Sequence, residues 1–461
     1  MKVWYAFFFL SYGYNSDAHC EANEKINFRE NSICNLTKTI EYEEHNCRSK
    51  DGFTGVFSRN RKLNFKTTVM FIARGVKSSL QRELDSFYQE ITGSDFKIRE
   101  VTKGAFTQAR AKLSHEVFIK LNESVNNTFY SEAPYLVWNQ MRLLAVDGTR
   151  LVLPNHESII EEFGEHSFGP QADSKRSLAV GSFLYDPINM LTLDAQLAPY
   201  SIGERELLYK HVEKIKKGDL LLLDRGYPSI ALFFLLIAKG INFCIRMQVN
   251  WWLSIKDFSE SDKQQDVIKF RLPIKDKKLL KDHPEMFDKE IECRLVKIDL
   301  PNGEKEILCT TLMDTEKFPV DDVAELYHYR WSEEEGYKLF KARMEVENFS
   351  GKTVRAIKQD FFAKVFIMSL CANLAFPIEE KVRKEYEQEK QLKHNQKINH
   401  TNAVSMTRDI CIGLFLKNMI RQALEAFDKI VRNTREIIRP GRKNERKHRR
   451  KKLYYMNYKR L

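Results

Sequence analysis

Two aspartates stand where an apolar run meets a glycine: Asp147 follows Leu-Leu-Ala-Val and precedes Gly148, and Asp224 follows Leu-Leu-Leu-Leu and precedes Arg225-Gly226. An apolar strand delivers a carboxylate to its end in a set direction, and strand ends are where open α/β sheets bind ligands. If two such strands lie side by side, the acids converge and repel, and a divalent cation relieves that repulsion. Taken singly, each aspartate reads first as an acid that opens a turn.

A second constellation is sharper. Tyr327, Arg330, Glu334 and Lys341 stand at offsets of 0, 3, 7 and 14 in YHYRWSEEEGYKLFK. At about 100° per residue these positions fall within about 60° of one another on a helix. A phenol, a guanidinium, a carboxylate and an ammonium on one stripe make a poor core face and a good site for a metal-bound phosphodiester. The plainer reading is a solvated face with Arg330 and Glu334 as an i,i+4 pair. Trp331 and Lys338, on the same stretch, join the DNA-contact candidates.

The elements that must position these groups can be read from periodicity. Apolar residues at three- and four-residue intervals predict helices between Phe57 and about Asn127, with interleaved basic residues suited to a small DNA-contacting module or to a solvated cap. From Arg142, RLLAVDGTRLVLP reads as a strand running into a turn at Asp147-Gly148, and SLAVGSFLYD and MLTLDAQLAP complete a meander. A helix closed by Gly218, the strand ending at Asp224, a helix over 229–239 and a strand over 241–247 follow, which predicts a mixed sheet with helices on its faces. Residues 248–319 break the alternation and read as an inserted β-rich subdomain, with a hairpin around Pro301-Asn302-Gly303. Trp251 and Trp252 open it; on a strand they would face opposite ways, one free to stack on a base and the other packed in the core. Then come a helix over 322–343, a buried helix over 361–376 ended by Pro377, a charged loop or exposed helix over 379–400, and a last helix over about 405–438.

A chain of 461 residues, 43% hydrophobic and 30% charged, is long enough for two or three domains and excludes wholesale disorder. Its longest apolar runs fall short of the roughly 20 residues that span a bilayer, so no membrane partner is expected. The formal net charge of +12 favours a polyanionic partner. Most of it lies in the tail from Arg439, where 11 Lys or Arg face one acid, Glu445. Eight cysteines without a Cys-x-x-Cys pair fit a reducing cytoplasm, and Cys20, Cys34, His45 and Cys47 match no common zinc spacing. VWYAFFFL over 3–10 resembles a signal-peptide core but lacks a small-x-small cleavage site.

The spacing Tyr-x2-Arg-x3-Glu-x6-Lys resembles the YREK signature of the insertion-sequence-four family of bacterial DDE transposases, and Asp147-Gly148-Thr149 and Asp224-Arg225-Gly226-Tyr227 resemble that family's two Asp motifs, in order. The resemblance implies an α/β, RNase H-like mixed-sheet catalytic domain with a β-rich insertion, flanked by helical N- and C-terminal regions. The boundaries expected on this basis are an extension of unknown role over 1–50, a helical DNA-binding region over 51–140, the catalytic domain over 141–378 with its insertion at about 248–319, and a helical region with basic tail over 379–461. It further implies that Asp147, Asp224 and Glu334 are catalytic and hold two Mg²⁺ ions, for which Mn²⁺ substitutes. Tyr327, Arg330 and Lys341 would contact the DNA backbone. Trp251, Trp252 or Trp331 are candidates to stack on an extruded base.

Mg²⁺ takes hard oxygen ligands, and three carboxylates suffice as the protein's share. Two ions about 3.5–4 Å apart would activate the attacking hydroxyl and stabilise the leaving oxygen, with no covalent protein intermediate. The expected reaction is cleavage at the inverted repeats of a mobile element followed by strand transfer into target DNA, through a hairpin intermediate as the resemblance suggests. A homodimer on DNA, in the bacterial cytoplasm with the nucleoid, is expected because two ends must be cut in concert. The rival readings are a transposase-derived DNA-binding protein without catalysis and a structure-selective nuclease on the same fold.

Overall fold

The computed structural model describes residues 12–14, 27–49, 57, 61–168, 174–300, 303–388 and 394–438. The N-terminal apolar run, Cys20, the hairpin apex Pro301-Asn302 and the basic tail lie outside the described residues.

From the N-terminus the elements are β1 (Tyr12–Tyr14), α1 (Asn27–Ser49), α2 (Phe65–Arg74), α3 (Leu80–Thr92), α4 (Lys103–Arg110) and α5 (Glu116–Glu132). Next come β2 (Leu136–Trp138), β3 (Leu143–Val152), α6 (Glu157–Phe163), β4 (Glu165–Phe168), β5 (Ser174–Asp186) and β6 (Leu191–Pro199). Then follow α7 (Glu204–Val212), β7 (Leu220–Leu223), α8 (Ile230–Ala238), β8 (Asn242–Met247), α9 (Leu253–Glu260), β9 (Gln265–Arg271), β10 (Glu290–Asp299) and β11 (Lys305–Thr310). The chain closes with α10 (Val320–Lys338), α11 (Val354–Gln388), β12 (Gln396–Ile398), α12 (His400–Cys411), α13 (Ile420–Asn433) and β13 (Arg435–Ile437). It divides into two compact units, one of residues 1–135, 150–179 and 338–461, the other of 136–149 and 180–337.

The second unit is the expected mixed α/β sheet with helices packed on it. Its strands run β6–β5–β3–β7–β8–β11–β10–β9, with β3, β7 and β8 parallel. All four residues of β7 are buried, as a strand covered on both faces requires. The turn between β5 and β6 is set by Asp186, whose Oδ1 accepts from the N–H of Ile188 at 3.0 Å and of Asn189 at 2.9 Å. The β-rich stretch 248–319 builds no separate core. β11 pairs antiparallel with β8, which would otherwise present an unpaired edge, and β10 and β9 extend the same sheet. Cys293, Leu295, Ile307 and Cys309 from these strands pack in one cluster with Leu221, Phe243 and Ile245.

The first unit is mainly helical and combines the N- and C-terminal helical regions. Phe28 of α1, Phe129 of α5 and Phe376 of α11 form an edge-to-face trio with centroids 5.1–6.5 Å apart. Residues 27–49, expected only as part of an extension of unknown role, are a packed helix of this unit; Ile33, Leu36 and Ile40 are fully buried. One described helix, α11, is long and apolar enough to cross a membrane, and 89% of its apolar window is buried inside the protein.

Two helix boundaries differ from expectation. α11 continues through Pro377 to Gln388 instead of ending there. A proline inside a helix costs about 3 kcal/mol, whereas each large apolar side chain buried along α11, among them Phe361, Phe366, Ile367, Leu370 and Leu374, contributes about 1.5–3 kcal/mol. Burial wins. One turn before Pro377, Arg29 donates to the Leu374 carbonyl at 3.1 Å while it pairs with Asp428 at 2.6 Å. The last predicted helix is two, because Asn418 takes a positive φ of 53° between α12 and α13.

Candidate active site

The parallel register of β3 and β7 is what brings the two aspartates together. Leu143 pairs with Leu220 and Ala145 with Leu222, and continuing that register two residues sets Asp147 opposite Asp224. Neighbouring strands lie about 4.8 Å apart, so the two carboxylates share one sheet end. The strand end responsible belongs to β7. β3 does not turn at Asp147-Gly148, as its sequence suggests, but runs on to Val152 while β7 stops at Leu223. Asp147 sits where the longer strand outruns the shorter one.

Local hydrogen bonds fix both acids. The Gly148 N–H donates to Asp147 Oδ1 at 2.8 Å, and the Gly226 N–H donates to Asp224 Oδ1 at 2.7 Å. A Cβ at 226 would lie 3.0 Å from Asp224 Oδ1, and one at 148 would lie 2.6 Å from Glu204 Oε1, so both glycines leave room for carboxylates. Burial pushes the Asp147 carboxyl up to about 6; the Gly148 N–H and Arg330 pull it down, and the charges of Asp224 and Glu204 add to the rise. This acid is ionised at neutral pH against the preference of its surroundings.

α10 supplies the opposite charge. Tyr327 is 1% exposed, and its hydroxyl donates to the Leu223 carbonyl, the last of β7, at 3.4 Å. Burial raises that phenol far above its ordinary value. A phenol so enclosed braces α10 against β7, which differs from the surface contact to DNA expected of it. Arg330 is 9% exposed, stands 5.6 Å from the Tyr327 ring centroid and lies within electrostatic reach of Asp147. Glu334, Trp331 and Lys338 lie on the same helix, but their side chains are outside the described residues. Lys341 follows the end of α10 in a π-helical turn, Leu339–Arg343, so the uniform 100° step that aligned it with Tyr327 does not reach it. By the division into units it belongs with the helical unit. Among the described residues, no three His, Cys, Asp or Glu side chains group closely enough to hold a metal ion.

The tryptophans part company, though not on a strand: they sit in the turn before α9, with Trp252 at its N-cap. Trp252 packs against Phe233 and Phe270, with centroids 5.9 and 5.4 Å away. Trp251 is 44% exposed, with the Arg205 guanidinium 5.3 Å from its ring centroid.

A family model for the transposase DDE domain matches residues 138–371. The chain belongs to the DDE transposase family. Over 257 residues it is 24% identical to the transposase InsG for insertion sequence element IS4 of Escherichia coli (strain K12), an alignment covering 53% of this chain and 54% of that protein. The chain thus spans about half the length of the curated relative it matches, and the match supports the insertion-sequence-four type. The cryo-EM structure of the piggyBac transposase synaptic complex with hairpin DNA is also similar, with a TM-score of 0.42 and 11% identity over 95% of this chain and 91% of that one.

In this DDE transposase chain, Glu204 and Arg205 are the site residues that sequence reasoning missed. They form the start of α7, after Gly203, and Glu204 meets Gly148 while Arg205 donates to the Gly226 carbonyl at 3.0 Å. Two charges opening a helix are common, and nothing in their spacing marks them. Only the return of the chain from β6 sets them beside both acid loops.

Proposed function

We propose that this chain is a transposase that cuts DNA at the ends of an insertion sequence and joins the freed 3′-hydroxyl to target DNA in a Mg²⁺-dependent, cut-and-paste reaction. The observation that carries the reading is the register that sets Asp147 opposite Asp224, with the Asp147 carboxyl held up to about 6 partly by its neighbour's charge. Two hard-oxygen donors that repel each other suit a divalent cation. Asp147, Asp224 and Glu334 would hold two Mg²⁺ ions, and Mn²⁺ would substitute. Bound there, the ions would supply activation of the attacking water or 3′-hydroxyl and stabilisation of the leaving oxygen.

The chain's own groups do the rest. Arg330, beside Asp147, offsets negative charge at the acids and offers its guanidinium to a phosphate. Tyr327 keeps α10 seated on β7 so that Arg330 and Glu334 keep their places along the helix. Lys338 and Lys341 extend the positive charge along the DNA backbone, and Trp331 is a stacking surface. The partners are the element's inverted repeats and the target DNA. The working form is a homodimer on DNA in the bacterial cytoplasm, because both ends are cut together.

The test is Mg²⁺-dependent cleavage and joining of a plasmid carrying the DNA that flanks the gene. The wild-type chain nicks and transfers strands, while Asp224→Asn loses cleavage by about a thousandfold or more and still binds DNA. Cleavage by a folded Asp224→Asn chain refutes the assignment, and release of ends without joining makes the protein a nuclease.

A further inference from the structure

The first turn of α7 touches both acid loops, and its arginine is the one that also reaches an exposed aromatic. Arg205 Nε donates to the Gly226 carbonyl, two residues past Asp224, at 3.0 Å. Its guanidinium carbon stands 5.3 Å from the centroid of Trp251. Both side chains are exposed. Arg205 makes no ion pair and no hydrogen bond beyond that from Nε among the described residues, so toward those residues its Nη donors are uncommitted.

A surface arginine ordinarily gives up much rotamer freedom when it grips an anion. Here one bond and one aromatic face already set the guanidinium plane, leaving one edge of its fork for a planar, bidentate acceptor. The Nε bond to the Gly226 carbonyl ties the guanidinium to the Asp224 turn and leaves the Nη edge to the acceptor. We propose that Arg205, propped on Trp251, is a phosphate-contacting residue of the DNA site, holding the strand beside the Asp147–Asp224 pair. This rests on the transposase reading above. It also gives Trp251 a role other than base stacking, since one face of its ring carries the guanidinium.

The experiment measures binding of the full-length chain to a mixed-sequence DNA duplex across a range of salt concentrations without divalent metal, so that no cleavage intervenes. A phosphate contact adds about 0.9 to the slope of log affinity against log salt. Arg205→Gln is expected to lower the slope by that amount and to weaken binding roughly eightfold at about 0.1 M salt. Arg205→Lys keeps the slope because it keeps the charge, yet binds less tightly because the fork and the Nε bond are gone. Trp251→Ala keeps the slope and loses several-fold in affinity as the guanidinium is freed. An unchanged slope in a folded Arg205→Gln chain overturns the proposal and leaves Arg205 only a brace for the Asp224 turn, even if cleavage falls. Failure of the wild-type chain to bind DNA overturns this proposal and the transposase reading together, whereas wild-type binding with an unchanged Arg205→Gln slope overturns this one alone.

Discussion

Two aspartates, a buried one in the helical unit and a half-buried one in the sheet unit, are treated in opposite ways. Asp360, in the helical unit, is buried, and burial alone would raise its carboxyl, but Arg110, Lys364 and Ser350 hold it below its ordinary value. Arg110 donates to Asp360 Oδ1 at 3.0 Å, to Ser350 Oγ at 2.7 Å and to Gln359 Oε1 at 3.0 Å, and Gln359 returns bonds to the carbonyls of Arg110 and Leu113. Asp147, in the sheet unit, accepts from the Gly148 N–H and has a guanidinium in reach, yet burial, and after it the charges of Asp224 and Glu204, push its carboxyl up to about 6. A buried charge given all its partners ties α4 to α11. A half-buried carboxyl set beside like charges is raised instead, and perturbed acids of that kind cluster at functional sites.

The largest expected effect would break the helical side of this contrast. Arg110→Ala strips Asp360 of its buried partner and should cost about 3–5 kcal/mol in urea unfolding; a loss below about 1 kcal/mol would show that the network is not what holds α4 to α11.

The sheet side is sharpened by pH. The Asp147 carboxyl is raised from an ordinary 3.8 to about 6, so the folded state binds more protons than the unfolded state between those values. Its ionised form therefore lowers stability fully above pH 6, and the penalty vanishes as pH falls towards 4. Asp147→Asn, measured without divalent metal, should stabilise the fold by about 1–3 kcal/mol at pH 8 and by far less at pH 4.5. Asp360, lowered rather than raised, tilts stability the other way: its contribution is present above its ordinary value of 3.8 and is lost as pH falls through its lower folded value. Equal gains from Asp147→Asn at both pH values would mean that the acid pair is not strained.

The smallest effect concerns the brace between α10 and β7. Tyr327→Phe removes one long hydrogen bond and should cost at most about 1 kcal/mol, with duplex binding unchanged. A clear fall in binding would return Tyr327 to the DNA-contact role that its burial argues against.

How far the site could be read beforehand varies residue by residue. Asp147 and Asp224 were legible because an apolar run ending in an acid is a local pattern. Arg330 was legible from its helical spacing to Tyr327. The same spacing does not reach Lys341, where a π-helical turn changes the angular step, and strand alternation was the wrong ground for separating Trp251 from Trp252, which sit in a turn. Glu204 and Arg205 carried no local signal at all.

What the amino-acid order settled by itself is whatever depends on one element at a time: the buried strand before Asp224, the amphipathic helices, the hairpin of β10 and β11, and the order of the three acidic motifs. Tertiary structure alone decided which acid faces which, that β9 to β11 extend one sheet, that α11 survives Pro377, and that α7 opens beside both aspartates. The physical reason is that periodicity reports which face of a segment avoids water, whereas register, edge pairing and compensated defects are settled by partners tens to hundreds of residues away.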